Sequence, residues 1–88
     1  SRPQVLCGAA RVYDEKIAGC TYSFVAKSPA NTTNVMRVLL PSKPKLIVVK
    51  DTQGKVMEEA TSQWDGKSRT VLLIFENNPE GVQVIMNR

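Results

Sequence analysis

The sequence contains no histidine. Histidine is the side chain most often used as a general base near neutral pH and the commonest zinc ligand outside cysteine sites. A glycine-rich phosphate-binding loop is also missing. The adjacent Glu58 and Glu59 would point to opposite faces of a strand, so they could not act as a pair of carboxylates. We therefore expect no enzymatic activity, no cofactor and no bound metal.

Long apolar runs are absent as well. The longest, Val71 to Phe75, has five residues, whereas a helix needs about 20 to cross a bilayer. We expect no membrane span. The first residues, Ser1 to Gln4, lack the apolar centre of a signal peptide, which indicates that such a peptide does not exist or has been removed.

The chain is short, with 88 residues of which 42% are apolar and 23% charged. This length predicts one domain over residues 1–88 with one modest core. A domain of this size buries only roughly two-thirds of the surface of its unfolded chain, so a cross-link would add useful stability.

Short apolar stretches separated by turn residues are typical of an all-β protein. We predict a small six-stranded antiparallel β-sandwich of two three-stranded sheets, with a partly open small β-barrel as the alternative. A further return strand, Lys55 to about Thr61, is expected to be short or at an edge. The six predicted strands are about Gln4–Val12, Lys16–Lys27, Asn34–Leu40, Lys45–Lys50, Arg69–Glu76 and Gly81–Asn87.

The apolar pattern also predicts the place of some strands within the sheets. Arg69–Glu76 and Lys45–Val49 are apolar on both faces, so we expect central strands that are buried on both sides. Lys55–Thr61 and Asn34–Leu40 are the expected edges, where a strand of another protein could pair. Asp51 to Gly54 predicts a type I turn with the glycine in the left-handed conformation.

The two cysteines are Cys7 and Cys20. Residues 12–15 resemble a turn, and a hairpin centred there pairs positions whose numbers sum to 27, which sets Cys7 opposite Cys20. We predict a disulfide between them, worth about 3 kcal/mol, with Cys20 on an inner face shared with Tyr22 and Phe24. The alternative is two buried free thiols. A disulfide would indicate secretion.

Asn31-Thr32-Thr33 is a sequence for N-linked glycosylation. It lies in a polar stretch, Lys27 to Asn34, that is typical of an exposed loop. In a secreted protein Asn31 would be glycosylated.

Charge is distributed unevenly along a chain of net charge +4. Between Ser23 and Lys50 there are basic residues and no acidic ones, which predicts a basic patch for an acidic protein, a nucleic acid or a glycan. Nucleic acid is the less favoured partner, because the aromatic residues occupy core-like or turn positions rather than exposed stacking positions. The binding residues that we predict from this stretch are Arg37, Lys43, Lys45 and Lys50.

Trp64 is the only tryptophan, and it stands beside an Asp-Gly turn. A large ring with a polar edge is a common anchor of protein interfaces, so we predict Trp64 as a binding residue. The alternative is a ring that folds over a sheet edge and caps the core.

Val5-Leu6-Cys7 on the first predicted strand and Glu15-Lys16-Ile17-Ala18-Gly19 opening the second resemble the MAX effectors of plant-pathogenic fungi. The resemblance covers the architecture of the whole chain and about fifteen residues of its sequence. In that family a cysteine of the first strand is commonly bridged to one in the later half, whereas here the only partner for Cys7 is Cys20. The resemblance implies a non-enzymatic virulence protein that binds host proteins through a strand edge or a surface patch.

The sequence thus predicts a secreted, non-enzymatic protein-binding module, which the resemblance extends to a fungal virulence effector. Two alternatives stay open. One is a basic small β-barrel that binds nucleic acid, and the other is an accessory β-domain excised from a larger cell-surface protein. The identity of the partner and the oligomeric state are not predicted.

Overall fold

The computed structural model describes residues 3–7, 11–29 and 31–88, without the side chains of Gln4, Leu6 and Cys7. None of these residues belongs to a helix that is long and apolar enough to span a membrane. They form eight strands: β1 Gln4–Cys7, β2 Arg11–Ala18, β3 Thr21–Lys27, β4 Thr33–Leu39, β5 Leu46–Lys50, β6 Thr61–Asp65, β7 Thr70–Glu76 and β8 Val82–Asn87.

The strands form two four-stranded antiparallel sheets, not a closed barrel. Sheet 1 has the order β1-β4-β7-β6, and sheet 2 has the order β2-β3-β8-β5. The all-β sandwich is confirmed. The expected count of six strands is too low, because the middle of β2 and most of β6 have the residue types of turns.

The core fills the space between the inner faces of the two sheets. Strands β3, β4, β7 and β8 alternate between buried and more exposed residues, as strands with one face on a core must. Burying each large apolar side chain contributes about 1.5–3 kcal/mol. The buried apolar residues are Tyr22, Phe24, Ala26, Met36, Val38, Leu40, Val49, Val71, Leu73, Phe75, Val82, Val84 and Met86.

The β2–β3 hairpin turns later in the chain than the sequence predicted. Asp14 lies inside β2, where a φ of 50° and a register shift between Tyr13 and Lys16 mark a bulge. The turn itself is Gly19-Cys20, with Gly19 at a φ of 58°, which glycine adopts without strain. The hairpin centred on residues 12–15 was therefore wrong.

The register argument for the predicted disulfide fails with that hairpin, and no disulfide is found among the described side chains. Cys20 is a free, exposed cysteine in the β2–β3 turn of sheet 2, not a residue of an inner face. Cys7 belongs to β1 in sheet 1, where its backbone pairs with Arg37, and its side chain lies outside the described part of the chain. The two cysteines are thus on different sheets, and the observation that supported secretion is lost.

Three predictions about edges and centres were also wrong, and a fourth, about burial, was wrong in part. β5 is an edge strand, with Leu46 54% exposed, although its sequence is apolar. β4, expected at an edge, lies between β1 and β7. Lys55–Thr61 makes one isolated bridge, between Lys50 and Val56, instead of a strand. β7 is central as predicted, but Ile74 on its outer face is 37% exposed rather than buried.

One polar side chain is fully buried on the inner face of sheet 1. Asn34 on β4 has no exposed area, and both polar atoms of its amide lack a hydrogen-bond partner among the described residues. An amide without partners costs free energy when it is buried. The amide of Asn34 therefore carries a desolvation cost that no described hydrogen bond offsets.

We expect Asn34→Leu, an apolar side chain of similar shape, to raise the free energy of unfolding by about 1–2 kcal/mol. Urea denaturation followed by circular dichroism would measure it. Val38→Asn, which buries the same amide elsewhere on β4, is the control and should lower stability. A loss of stability in Asn34→Leu would contradict this account.

Candidate functional site

Two edge strands of different sheets lie next to each other on one side of the sandwich. β5 is the edge of sheet 2 and β6 the edge of sheet 1. Ile47 of β5 and Ser62 of β6 line the same two adjoining grooves. We call the gap between β5 and β6 the open side.

One half of the open side, which we call the basic end, is a groove of about 510 Å³. Lys43 and Lys45 are exposed there, while Trp64 is half-buried. No carboxylate of the described residues lines this groove. Its lining is Lys43, Pro44, Lys45, Leu46, Ile47, Ser62, Gln63, Trp64 and Val71.

The other half, the apolar end, is a groove of about 220 Å³. Glu58 is exposed and is the one charged residue in its described lining. The charge therefore changes along the open side, from lysines at one end to a glutamate at the other. The lining is Ile47, Val49, Val56, Met57, Glu58, Ala60, Thr61, Ser62 and Leu73.

The hydrophobic core reaches the surface along the open side. Ile47, Met57 and Trp64 are only partly buried and pack against the core from this side. Leu46 and Val56, which line the two grooves, are 54% and 51% exposed. A chain segment placed here would remove apolar surface from water, at about 25 cal/mol for each Å².

Within the described part of the chain, the backbone of β6 is paired on one side only. The N–H of Leu40 donates to the carbonyl of Arg69 at 2.9 Å, so the odd-numbered residues of β7 face β4. The even-numbered residues of β7 consequently bond to the odd-numbered residues of β6, such as Gln63. The N–H and C=O groups of Ser62 and Trp64 therefore point outward, into the open side.

The neighbouring edge of β5 is partly covered by the connection to β6. The carbonyl of Val49 accepts a hydrogen bond from the N–H of Met57 at 2.8 Å. This connection starts in the predicted turn: Asp51 Oδ1 accepts from the N–H of Gln53 at 2.9 Å, and Gly54 has a φ of 82°. β6 is therefore the more accessible of the two edges.

The structure brings three of the five predicted binding residues together. Lys43, Lys45 and Trp64 line the basic end. Arg37 lies on the outer face of sheet 1, in a separate pocket of about 360 Å³ that Trp64 also lines. Lys50 is apart from both, at the far end of β5. The basic stretch of the sequence is thus divided rather than gathered into one patch.

Trp64 lies where the alternative role placed it, against the core, and its role in binding stays a prediction. Its ring packs against the core, and together with Gln63 it lines both the basic end and the Arg37 pocket. An aromatic ring held in this way is a rigid surface for a partner.

The Arg37 pocket is organised by a chain of hydrogen bonds. Arg37 Nη1 donates to Thr70 Oγ1 at 3.2 Å, and Ser68 Oγ donates to Asp65 Oδ2 at 2.9 Å. Asp65 also accepts from the backbone N–H of Lys67 at 3.0 Å. The N–H of Lys67 in the first place, and then the hydroxyl of Ser68, lower the pKa of Asp65 below its usual value.

Sequence reasoning did not identify Leu46, Met57, Glu58 or Ser62 as site residues. For Ser62 a signal was available. Asp65-Gly66 is a hairpin turn sequence, and the strand that must precede such a turn is β6. The other three line the site only because two edges meet there, which no local pattern shows.

Asn31 is exposed, with a φ of 63°. Its neighbour Thr32 anchors the loop, donating from Oγ1 to the carbonyl of Pro29 at 2.7 Å and accepting from Asn77 Nδ2 at 2.8 Å. The exposed position is as expected, and glycosylation stays a prediction.

A scan against protein-family models and searches of curated proteins and of solved structures found no match to this chain. The resemblance to MAX effectors therefore stays a prediction, as do the secreted location and the virulence role.

Ser68→Ala should raise the pKa of Asp65 towards its ordinary value, because one of the donors that stabilise the carboxylate is lost. A ¹³C NMR titration of the carboxyl group would measure this. Since the folded pKa is lowered, the contribution of Asp65 to stability is present above its unfolded pKa and is lost as the pH falls through its folded pKa. The control Ser62→Ala should leave the titration unchanged, and an unchanged pKa in Ser68→Ala would refute the assignment.

Proposed function

We propose that this protein is a non-enzymatic protein-binding module that takes up an extended segment of its partner as an additional strand on β6. The observation that carries the proposal is the free edge of Ser62 and Trp64, which opens beside a groove where the core is partly exposed. In strand addition, main-chain hydrogen bonds supply affinity and pockets for alternate side chains supply specificity.

The open side suits such a strand on both counts. The added backbone would find unpaired N–H and C=O groups on β6. Its inward side chains would cover Ile47, Leu46 and the ring of Trp64, which line the groove. Apolar contact and backbone pairing would thus act at the same place.

The charge of the groove favours an acidic partner. Lys43 and Lys45 are exposed at the basic end, and exposed charges of one sign raise the rate at which an oppositely charged partner associates. The net charge of +4 acts in the same direction at longer range.

A proline at position 62 tests the proposal, because it removes an outward N–H while leaving the pairing of β6 with β7 in place. Seven-residue peptides selected from a random display library on the wild-type protein would serve as probes, with Trp64 fluorescence as the readout. We expect Ser62→Pro to weaken their binding about tenfold or more. The control Ser62→Ala keeps the N–H and should bind as the wild type does.

Equal binding to Ser62→Pro and Ser62→Ala, or the absence of any selected peptide, would refute strand addition. Peptides methylated at single backbone nitrogens test the same point without touching the fold of the protein. Methylation at alternate residues should abolish binding, and methylation at the residues between them should not.

A further inference from the structure

The open side has a direction, which follows from the residues that line its two ends. Lys45 and Trp64 line the basic end, whereas Val49 and Ala60 line the apolar end. β5 and β6 therefore run in opposite directions along the gap. Trp64 lies at the basic end, and Ser62 lies where the two grooves join.

A strand added to β6 would place two of its side chains in the gap. Residues that pair with Trp64 and Ser62 have their side chains on the same face as these two, towards the inside of the sandwich. The residue between them would point outward, as Gln63 does. The two inward side chains are thus two residues apart in the sequence of the partner.

The two inward positions differ in charge and polarity. The position beside Trp64 faces Lys43 and Lys45, which favour a carboxylate. The position beside Ser62 faces Ile47 and Met57 and is bordered by Glu58. An acidic side chain at this second position would lose water against apolar groups and meet a like charge, which is unfavourable.

All strand pairs of both sheets are antiparallel, and antiparallel pairing is slightly more stable for each residue than parallel pairing. In a strand antiparallel to β6, the residue beside Trp64 comes before the residue beside Ser62. Building on the proposed function, we infer that the open side selects partner segments in which an acidic residue is followed, two positions later, by an apolar one.

Two peptides of equal composition test this order. Acetyl-Thr-Thr-Glu-Thr-Val-Thr-Thr-amide has the selected order, and acetyl-Thr-Thr-Val-Thr-Glu-Thr-Thr-amide has the reverse. Titration followed by Trp64 fluorescence should show the first binding roughly fivefold more tightly, because only it places Glu at the lysines and Val at the apolar end.

Charge reversal at the basic end gives a second readout. The double variant Lys43→Glu with Lys45→Glu should lose its preference for the first peptide and instead favour the peptide in which Lys replaces Glu. Lys16→Glu is the control, because Lys16 is exposed on β2 at the opposite edge of sheet 2. It should keep the wild-type preference.

The outcomes separate this inference from the proposed function. Equal affinity for the two orders, together with weaker binding to Ser62→Pro, would overturn the selected order and leave strand addition intact. Equal affinity for the two orders and for Ser62→Pro would overturn both. A dimer in size-exclusion chromatography that Ser62→Pro dissociates would show that a second copy of the chain occupies the open side, which also overturns the inference.

Discussion

The unpaired backbone groups at the edges of the sheets are the constraint on which the rest of this structure depends. Two four-stranded sheets leave four edge strands, β1, β2, β5 and β6, and unprotected edges pair with other chains. β1 and β2 each have a register shift, between Val5 and Cys7 and between Tyr13 and Lys16. β5 is partly covered through the bond between Met57 and Val49. Among the described edges, β6 alone is both regular and uncovered.

The bulge that protects the edge of β2 also provides a hydrogen bond to a core residue. The bulge after Tyr13 brings Glu15 to the hydroxyl of Tyr22, which donates to Glu15 Oε2 at 2.5 Å. Tyr22 is fully buried, and a hydroxyl taken from water needs an acceptor. The irregularity that makes this edge a poor template for other chains thus supplies an acceptor to the largest side chain of the core.

The sequence was most informative where one face of a strand is buried. β4, β7 and β8 were predicted to within about a residue, because each is a short apolar stretch bounded by turn residues. The strands that were missed, β2 and β6, are edge strands in which at least half of the residues are polar. Asp14 lies in a bulge of β2, and in the sequence this residue resembles part of a turn. The hairpin was therefore centred at the wrong place, and Cys7 was set opposite Cys20. The prediction for β5 was wrong for the opposite reason. Its residues are apolar, but it is an edge strand and Leu46 faces solvent.

Local sequence patterns also explain why some residues of the site were predicted and the groove itself was not. A count of charges identifies Lys43 and Lys45. It does not show on which face of a strand a residue lies, because successive residues point to opposite faces. Arg37 therefore points away from the core, whereas Met36 and Val38 fill it. The groove itself exists because an edge of one sheet meets an edge of the other, and this adjacency is set by pairing between distant parts of the chain. Composition can therefore indicate the charge of a partner, whereas the backbone groups and the order of side chains that would recognise it follow only from the assembled sheets.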